Sequence, residues 1–149
     1  MSAVTRQELV ALRDLAHARR GRWVAIGGGR TPEAVAFADA FASLWEETGG
    51  EVVETVAWPE TAASWLRHAR RFAETDVDLW IMTGPPAGWA RMVRRLLRST
   101  RWRPERTLVT SDIGDRAVLE LAGADDLDGL AGADALGASW FVEAGKIVR

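Results

Sequence analysis

The 149-residue chain has no cysteine and no tyrosine, and Lys146 is its only lysine. Without cysteine there is no disulfide, no thiolate nucleophile and no zinc–thiolate centre. Histidine is nearly as scarce: His17 and His68 are the only two. Both fall on the polar flank of helical segments and read as solvated surface residues. There is no H-E-x-x-H, no G-x-S-x-G and no G-x-x-x-x-G-K-[ST]. The sequence therefore assigns no catalytic residue, no metal site and no cofactor, and it predicts a protein that is not an enzyme. No apolar run approaches the roughly 20 residues of a membrane span. The opening "MSAVTRQELVALRDLAHARR" lacks the basic, apolar and small-residue regions of a signal peptide. The sequence as it stands predicts a cytoplasmic protein, or a periplasmic or extracellular one if it belongs to a longer exported parent. A net charge of -2 gives no bulk argument for nucleic acid or an anionic membrane.

What is present is ordinary globular material. Hydrophobic residues make up 48% and charged residues 27%, which fits one domain over residues 1–149 with a real core. Eight tryptophans supply large apolar areas to bury.

Apolar periodicity organises the chain. Leu9, Leu12 and Ala16 form one face of a helix over residues 5–20. "RWVAIGG" is a first strand. Thr31 suits an N-cap, Pro32 the first helical position and Glu33 the positive helix end. The helix that follows aligns Ala34, Phe37, Ala38, Phe41, Leu44 and Trp45, and stops at Gly49-Gly50. "EVVETVAW" is a second strand, and "TAASWLRHARRF" a second crossover helix with Ala62, Trp65, Leu66, Ala69 and Phe72 inward. "VDLWIMTG" is a continuous apolar strand, as for a central parallel strand covered on both faces. "AGWARMVRRLLRS" puts Trp89, Met92, Val93, Leu96 and Leu97 inward and Arg91, Arg94, Arg95 and Arg98 outward. "RTLVTSD" is a fourth strand, "DRAVLELAG" a short helix and "LDGLAGAD" a fifth strand. The tail "ALGASWFVEAGKIVR" fits either a last helix or an extended edge segment. This alternation predicts a three-layer α/β fold: a doubly wound parallel sheet of about five strands in the flavodoxin-like order 2-1-3-4-5.

In such sheets ligands sit beyond the carboxyl ends of the strands. The rule selects the loops at Gly27-Gly28-Gly29-Arg30-Thr31, Trp58-Pro59, Thr83-Gly84-Pro85-Pro86 and Ser111-Asp112. The candidate ligand-binding residues are Gly28, Arg30, Thr31, Trp58, Thr83, Gly84, Ser111 and Asp112. The glycine loop has three readings: a phosphate cradle, a cleft wall or a plain turn. It is not G-x-G-x-x-G, because Pro32 stands where the third glycine belongs, and proline removes one N–H an anion would use. Asp125, Asp126 and Asp128 read as a solvated turn or a weak cation site. The row Arg91, Arg94, Arg95, Arg98, Arg101, Arg103 and Arg106 reads as the wet face of a helix or as a partner surface. No exposed aromatic interleaves it, as single-strand nucleic acid binding would need.

Several motifs then fall in a familiar order: Ala38 and Phe41, Gly49-Gly50-Glu51-Val52-Val53, Trp58-Pro59, Val77-Asp78, Ser111-Asp112, and "LELAG" followed by "DGLAGA". Over residues 8–135 the chain resembles type I periplasmic-binding-fold receptors, specifically the second lobe of branched-chain amino acid (Leu/Ile/Val) substrate-binding proteins of ABC transporters. The resemblance implies a small-molecule, amino-acid-like ligand. Its partners would be a complementary lobe, a second copy or a transporter permease. It also implies that Asp112, after the fourth strand, meets a ligand ammonium. The family's Tyr-Gly pair falls at Glu33-Ala34, so that aromatic contact is missing, as is the first lobe. Two rivals stand beside it: a flavodoxin-like nucleotide or phosphate binder or enzyme using Gly27–Arg30, and a protein-interaction or scaffold module.

Overall fold

The computed structural model describes residues 3–149. Among these residues five α-helices alternate with the first five of seven strands: α1 (Arg6–Ala18), β1 (Trp23–Gly28), α2 (Pro32–Glu47), β2 (Glu51–Ala57), α3 (Leu66–Ala73), β3 (Leu79–Met82), α4 (Pro86–Ser99), β4 (Thr107–Val109), α5 (Arg116–Ala122), β5 (Ala131–Ala133), β6 (Ser139–Glu143) and β7 (Lys146–Val148). The sheet order is β2-β1-β3-β4-β5-β6-β7. The first five strands are parallel in the expected order 2-1-3-4-5. β6 and β7 are antiparallel additions.

The central strands are buried on both faces, and their side chains divide by the two-residue period of a strand. Val24, Ile26, Leu79, Ile81 and Leu108 pack with Leu12 and Ala16 of α1 and Phe37, Phe41, Leu44 and Trp45 of α2. Ala25, Trp80, Met82 and Val109 face the other way, onto Ala69 and Phe72 of α3, Trp89, Met92 and Leu96 of α4, and Leu119 and Ala122 of α5. The result is three layers, with α1 and α2 on one face and α3, α4 and α5 on the other.

Local chemistry sets the helix starts. The Thr31 hydroxyl accepts from the Ala34 N–H at 3.2 Å, and Thr5 does the same for Glu8 at 3.1 Å. Asp115 accepts from Ala117 and Val118. Gly123 ends α5 in the left-handed conformation, with φ of 95°, where glycine carries no Cβ penalty.

One expectation is corrected, and one that stood open is decided. The crossover helix after β2 begins at Leu66 rather than near Thr61. Residues 59–65 instead run across the carboxyl edge of the sheet, where Arg91 donates to the Glu60 carbonyl at 3.1 Å. The tail, open in the sequence between a last helix and an extended edge segment, takes the extended form as an antiparallel hairpin at the sheet edge. Its buried Trp140 and Val142 alternate with exposed Ser139, Phe141 and Glu143. Ala144 and Gly145 turn the chain with φ of 52° and 75°, the positive values that a two-residue hairpin turn needs. Among the described residues no helix is long and apolar enough to cross a membrane.

Phe72 lies at the junction of α3 and the sheet. Its ring meets Trp58 edge-on at 6.0 Å, and its carbonyl accepts from the Trp80 indole at 3.1 Å. Phe72→Ala keeps the carbonyl and empties the ring site. It is expected to cost about 3–5 kcal/mol of unfolding free energy, read as a lower urea midpoint with an unchanged slope.

Candidate functional site

The carboxyl ends of β1, β3 and β4 are laced together beyond the last strand residues. Thr83 N–H donates to Gly27 O at 2.9 Å, Gly29 N–H to Gly84 O at 3.0 Å and Thr110 N–H to Met82 O at 3.2 Å. Small residues make this lacing possible. A Cβ on Gly28 would lie 2.5 Å from the Thr83 methyl, and one on Gly84 would lie 2.3 Å from Asp112 Oδ2. The loops after β3 and β4 thus touch at Gly84 and Asp112.

A chain of polar groups runs along the same edge. Thr110 Oγ1 donates to Asp112 Oδ1 at 2.5 Å. A hydroxyl has one proton, so Thr83 Oγ1, 2.9 Å from Thr110 Oγ1, is the donor in that pair. Thr83 and Thr110 are fully buried. Asp112 Oδ2 is enclosed and has no hydrogen-bond partner among the described residues. Burial pushes the Asp112 carboxyl above its usual range, and the Thr110 hydroxyl only partly opposes this.

A second carboxylate reaches this edge from the other end of the chain. Glu8 of α1 is 1% exposed, and its Oε2 accepts from the Ser111 N–H at 2.7 Å. Its Oε1 has no partner among the described residues. Burial raises its pKa first of all. The Ser111 hydrogen bonds oppose that rise, and the charges of Asp112 and Asp134 add to it. Glu8 was absent from the sequence-derived set. The available signal was its place in the helical stripe, four residues before Leu12 and eight before Ala16, where a carboxylate is out of keeping with its apolar neighbours.

Of the sequence-derived residues, the structure brings Gly28, Thr83, Gly84, Ser111 and Asp112 together at this edge. Trp58 is not on its surface: the ring is fully buried, under Gly27 and against Phe72. Arg30 is exposed and donates from Nε to Ala57 O at 3.1 Å, and Thr31 caps α2. In the first loop Gly29 N–H serves Gly84, Ala34 N–H serves Thr31 and Pro32 has none, which takes these three positions out of the donor cradle that a phosphate would use.

The histidines lie apart. His17 is exposed and stacks on Trp45 at 4.5 Å. His68 is half-buried, and burial followed by the charges of Arg30, Arg67 and Arg71 lowers its pKa. Among the described residues no group of three or more acidic or histidine side chains is placed to hold a metal. Two open cavities, of about 630 and 830 Å³, lie away from the carboxyl edge: one at the amino ends of β3 and β4, the other between α5 and the β6–β7 hairpin.

The two raised carboxyls give a signed pH dependence. A carboxyl whose folded pKa lies above its unfolded value stabilises the fold while protonated, and that contribution is lost as pH rises through the folded pKa. Stability is therefore expected to fall as pH rises above the ordinary Asp and Glu values of 3.8 and 4.5. Asp112→Asn keeps an acceptor for Thr110 and removes the charge. The variant is expected to be more stable than the native chain at pH 7 and to show a flatter melting temperature between pH 4 and 7, read by calorimetry. A steeper profile in the variant would contradict this.

No family model matches the sequence, and no curated protein matches it. Solved structures do match. A putative branched-chain amino acid ABC transporter protein from Rhodospirillum rubrum superposes with TM-score 0.70 at 17% identity, over 86% of this chain and 37% of that one. A leucine binding protein from Thermotoga maritima gives 0.69 at 15% identity, over 84% and 35%. A solute binding protein of an ABC transporter from Rhodopseudomonas palustris, in complex with 3,4-dihydroxy benzoic acid, gives 0.70 at 17% identity, over 86% and 35%. The chain thus spans about a third of the length of the structures it resembles. Its fold is that of one lobe of an ABC transporter substrate-binding protein.

Proposed function

We propose that the chain is a small-molecule recognition lobe, with its ligand at the carboxyl edge between the loops after β1, β3 and β4. The observation that carries this reading is Asp112. It is a carboxylate at the end of a central strand, held by Thr110, pressed on Gly84, with one oxygen lacking a partner among the described residues. A cationic group such as a ligand ammonium would offset the cost of burying that charge. Glu8, fixed on the Ser111 amide, adds negative potential at the same place. The structural neighbours include proteins solved with isoleucine and with 4-hydroxybenzoate. Amino acids and hydroxybenzoates are accordingly the ligand classes to try, with the amino acids favoured by Asp112.

In this reading the lobe is the second of a pair. A complementary lobe or a second copy supplies the opposite wall, and a transporter permease receives the ligand. One wall buries little of a ligand, so binding by this chain alone is weak. No catalytic step belongs to the reading.

The test is thermal unfolding against leucine, isoleucine, phenylalanine, glutamate, 4-hydroxybenzoate and adenine nucleotides. A ligand at 100 times its dissociation constant adds about 2.7 kcal/mol, a rise of several degrees for a domain of this size. The expected result is a rise with an amino acid that disappears in Asp112→Ala. A rise with nucleotides alone, lost in Arg30→Ala, would replace the receptor reading with the phosphate one. No rise with any compound would favour an interaction module.

A further inference from the structure

Charge is not spread evenly over the helices. α2 carries Glu33, Asp39, Glu46 and Glu47 and no basic residue. α4 carries Arg91, Arg94, Arg95 and Arg98 and no acidic one. The other helices differ in kind. α1 and α5 mix both signs, with Arg13 on Asp14 and Arg116 on Glu120. In α3, Arg70 and Arg71 meet Glu74 and Glu54, which leaves Arg67. Among the described residues none of the charged side chains of α2 and α4 forms an ion pair. α2 and α4 lie on opposite faces of the sheet, so they cannot neutralise each other within one molecule.

Both rows face solvent. Asp39, Glu46 and Glu47 are exposed, and so are Arg91, Arg94 and Arg98. Asp39 and Glu46 are seven residues apart, as are Arg91 and Arg98. Two helical turns set each pair about 10.5 Å apart along its axis. Between and beside the acids stand Ala36, Ala40 and Ser43, all exposed. Such small side chains leave room for the apolar stems of arginines to lie on α2. Glu46 and Glu47 also occupy the last turn of α2, where no basic residue stands. The negative end of the helix dipole disfavours carboxylates at that place, and a cation from outside would relieve it.

We infer that α2 and α4 are the two halves of one interface between copies of this chain: the acidic face of one copy takes the arginine row of the next. Asp39 and Glu46 pair with Arg91 and Arg98, whose spacing they match, and Arg94 adds a third cation between them. The contact is head-to-tail, because the two faces differ. The complement of the arginine row is present on the chain itself, and a net charge of -2 opposes nucleic acid or an anionic membrane as the partner. Exposed ion pairs are individually weak and screened by salt. The assembly therefore forms at high protein concentration and low ionic strength. No residue of the carboxyl edge takes part, so the interface is independent of the receptor reading.

The experiment is sedimentation velocity of the full chain over a concentration series, at about 0.01 M and about 1 M salt, where the screening length is ~30 Å and ~3 Å. The native chain is expected to gain mass with concentration at low salt and to remain a monomer at high salt. Two double variants remove one face each: Asp39→Ala with Glu46→Ala, and Arg94→Ala with Arg98→Ala. Alanine suits an exposed helix position, so circular dichroism of both should match the native chain. Each variant alone is expected to stay monomeric at low salt. Their mixture is expected to give a one-to-one complex and nothing larger, because one intact acidic face then meets one intact basic face. The interface is overturned if the native chain stays monomeric at low salt, if association survives high salt or either variant, or if the mixture stays monomeric. Retention of a monomeric native chain on phosphatidylserine vesicles or duplex DNA, lost in Arg94→Ala with Arg98→Ala, would also overturn it and assign the arginine row to another anionic surface.

Discussion

Burial of β1, β3 and β4 on both faces is the constraint from which the rest of the molecule follows. A strand covered on both faces has room for a polar side chain only where it finds a partner, so these strands are built of Val, Ile, Leu, Met, Ala, Gly and Trp, with Thr107 at the start of β4 donating to the Arg103 carbonyl. Polar chemistry is forced to the strand ends. At the carboxyl end the first polar side chains, Thr83 and Thr110, satisfy each other. Only beyond them, at Ser111 and Asp112, does the chain reach solvent. The position of the candidate site is a consequence of sheet burial rather than a separate feature added to it.

The carboxylates at that edge carry the clearest tension in the structure. Among the described residues, Asp112 and Glu8 each have one oxygen held by a donor and one oxygen held by none. Packing alone does not ask for this, since replacing both with neutral groups of the same shape would remove the desolvation cost. Such local inconsistency in an otherwise consistent fold is the usual mark of a site under a second demand.

Much of the architecture was legible because two periods were written plainly. The 3.6-residue stripe of Phe37, Phe41, Leu44 and Trp45 and the short apolar runs between glycines give helix and strand, and their alternation gives the parallel sheet. The tail was ambiguous for a physical reason. Its turn is Ala144-Gly145 rather than Asn-Gly, so the hairpin signal is weak, although the alternation of Trp140 and Val142 with Ser139 and Phe141 was there to read. The start of α3 was misplaced because Thr61 to Trp65 carry helix-compatible residues, while the Arg91 contact to Glu60 that directs the loop comes from a distant helix. At the candidate site, the gathering of Gly28, Thr83, Gly84, Ser111 and Asp112 at one edge followed from topology alone. Trp58 did not, since position after a strand says nothing of the face toward which a side chain turns. Glu8 lay hidden because its partner, Ser111, is 103 positions away.

That last separation has a kinetic meaning. Closing a loop of such length is entropically costly, and contacts of this kind form late in folding. The Glu8–Ser111 bond therefore forms only once α1 has docked on the assembled sheet. Local opening runs the same sequence backwards: a fluctuation that lifts α1 away removes Glu8 from the edge while β1, β3 and β4 keep their pairing. Order at the carboxyl edge is thus tied to the docking of α1, a helix distant from that edge in the chain.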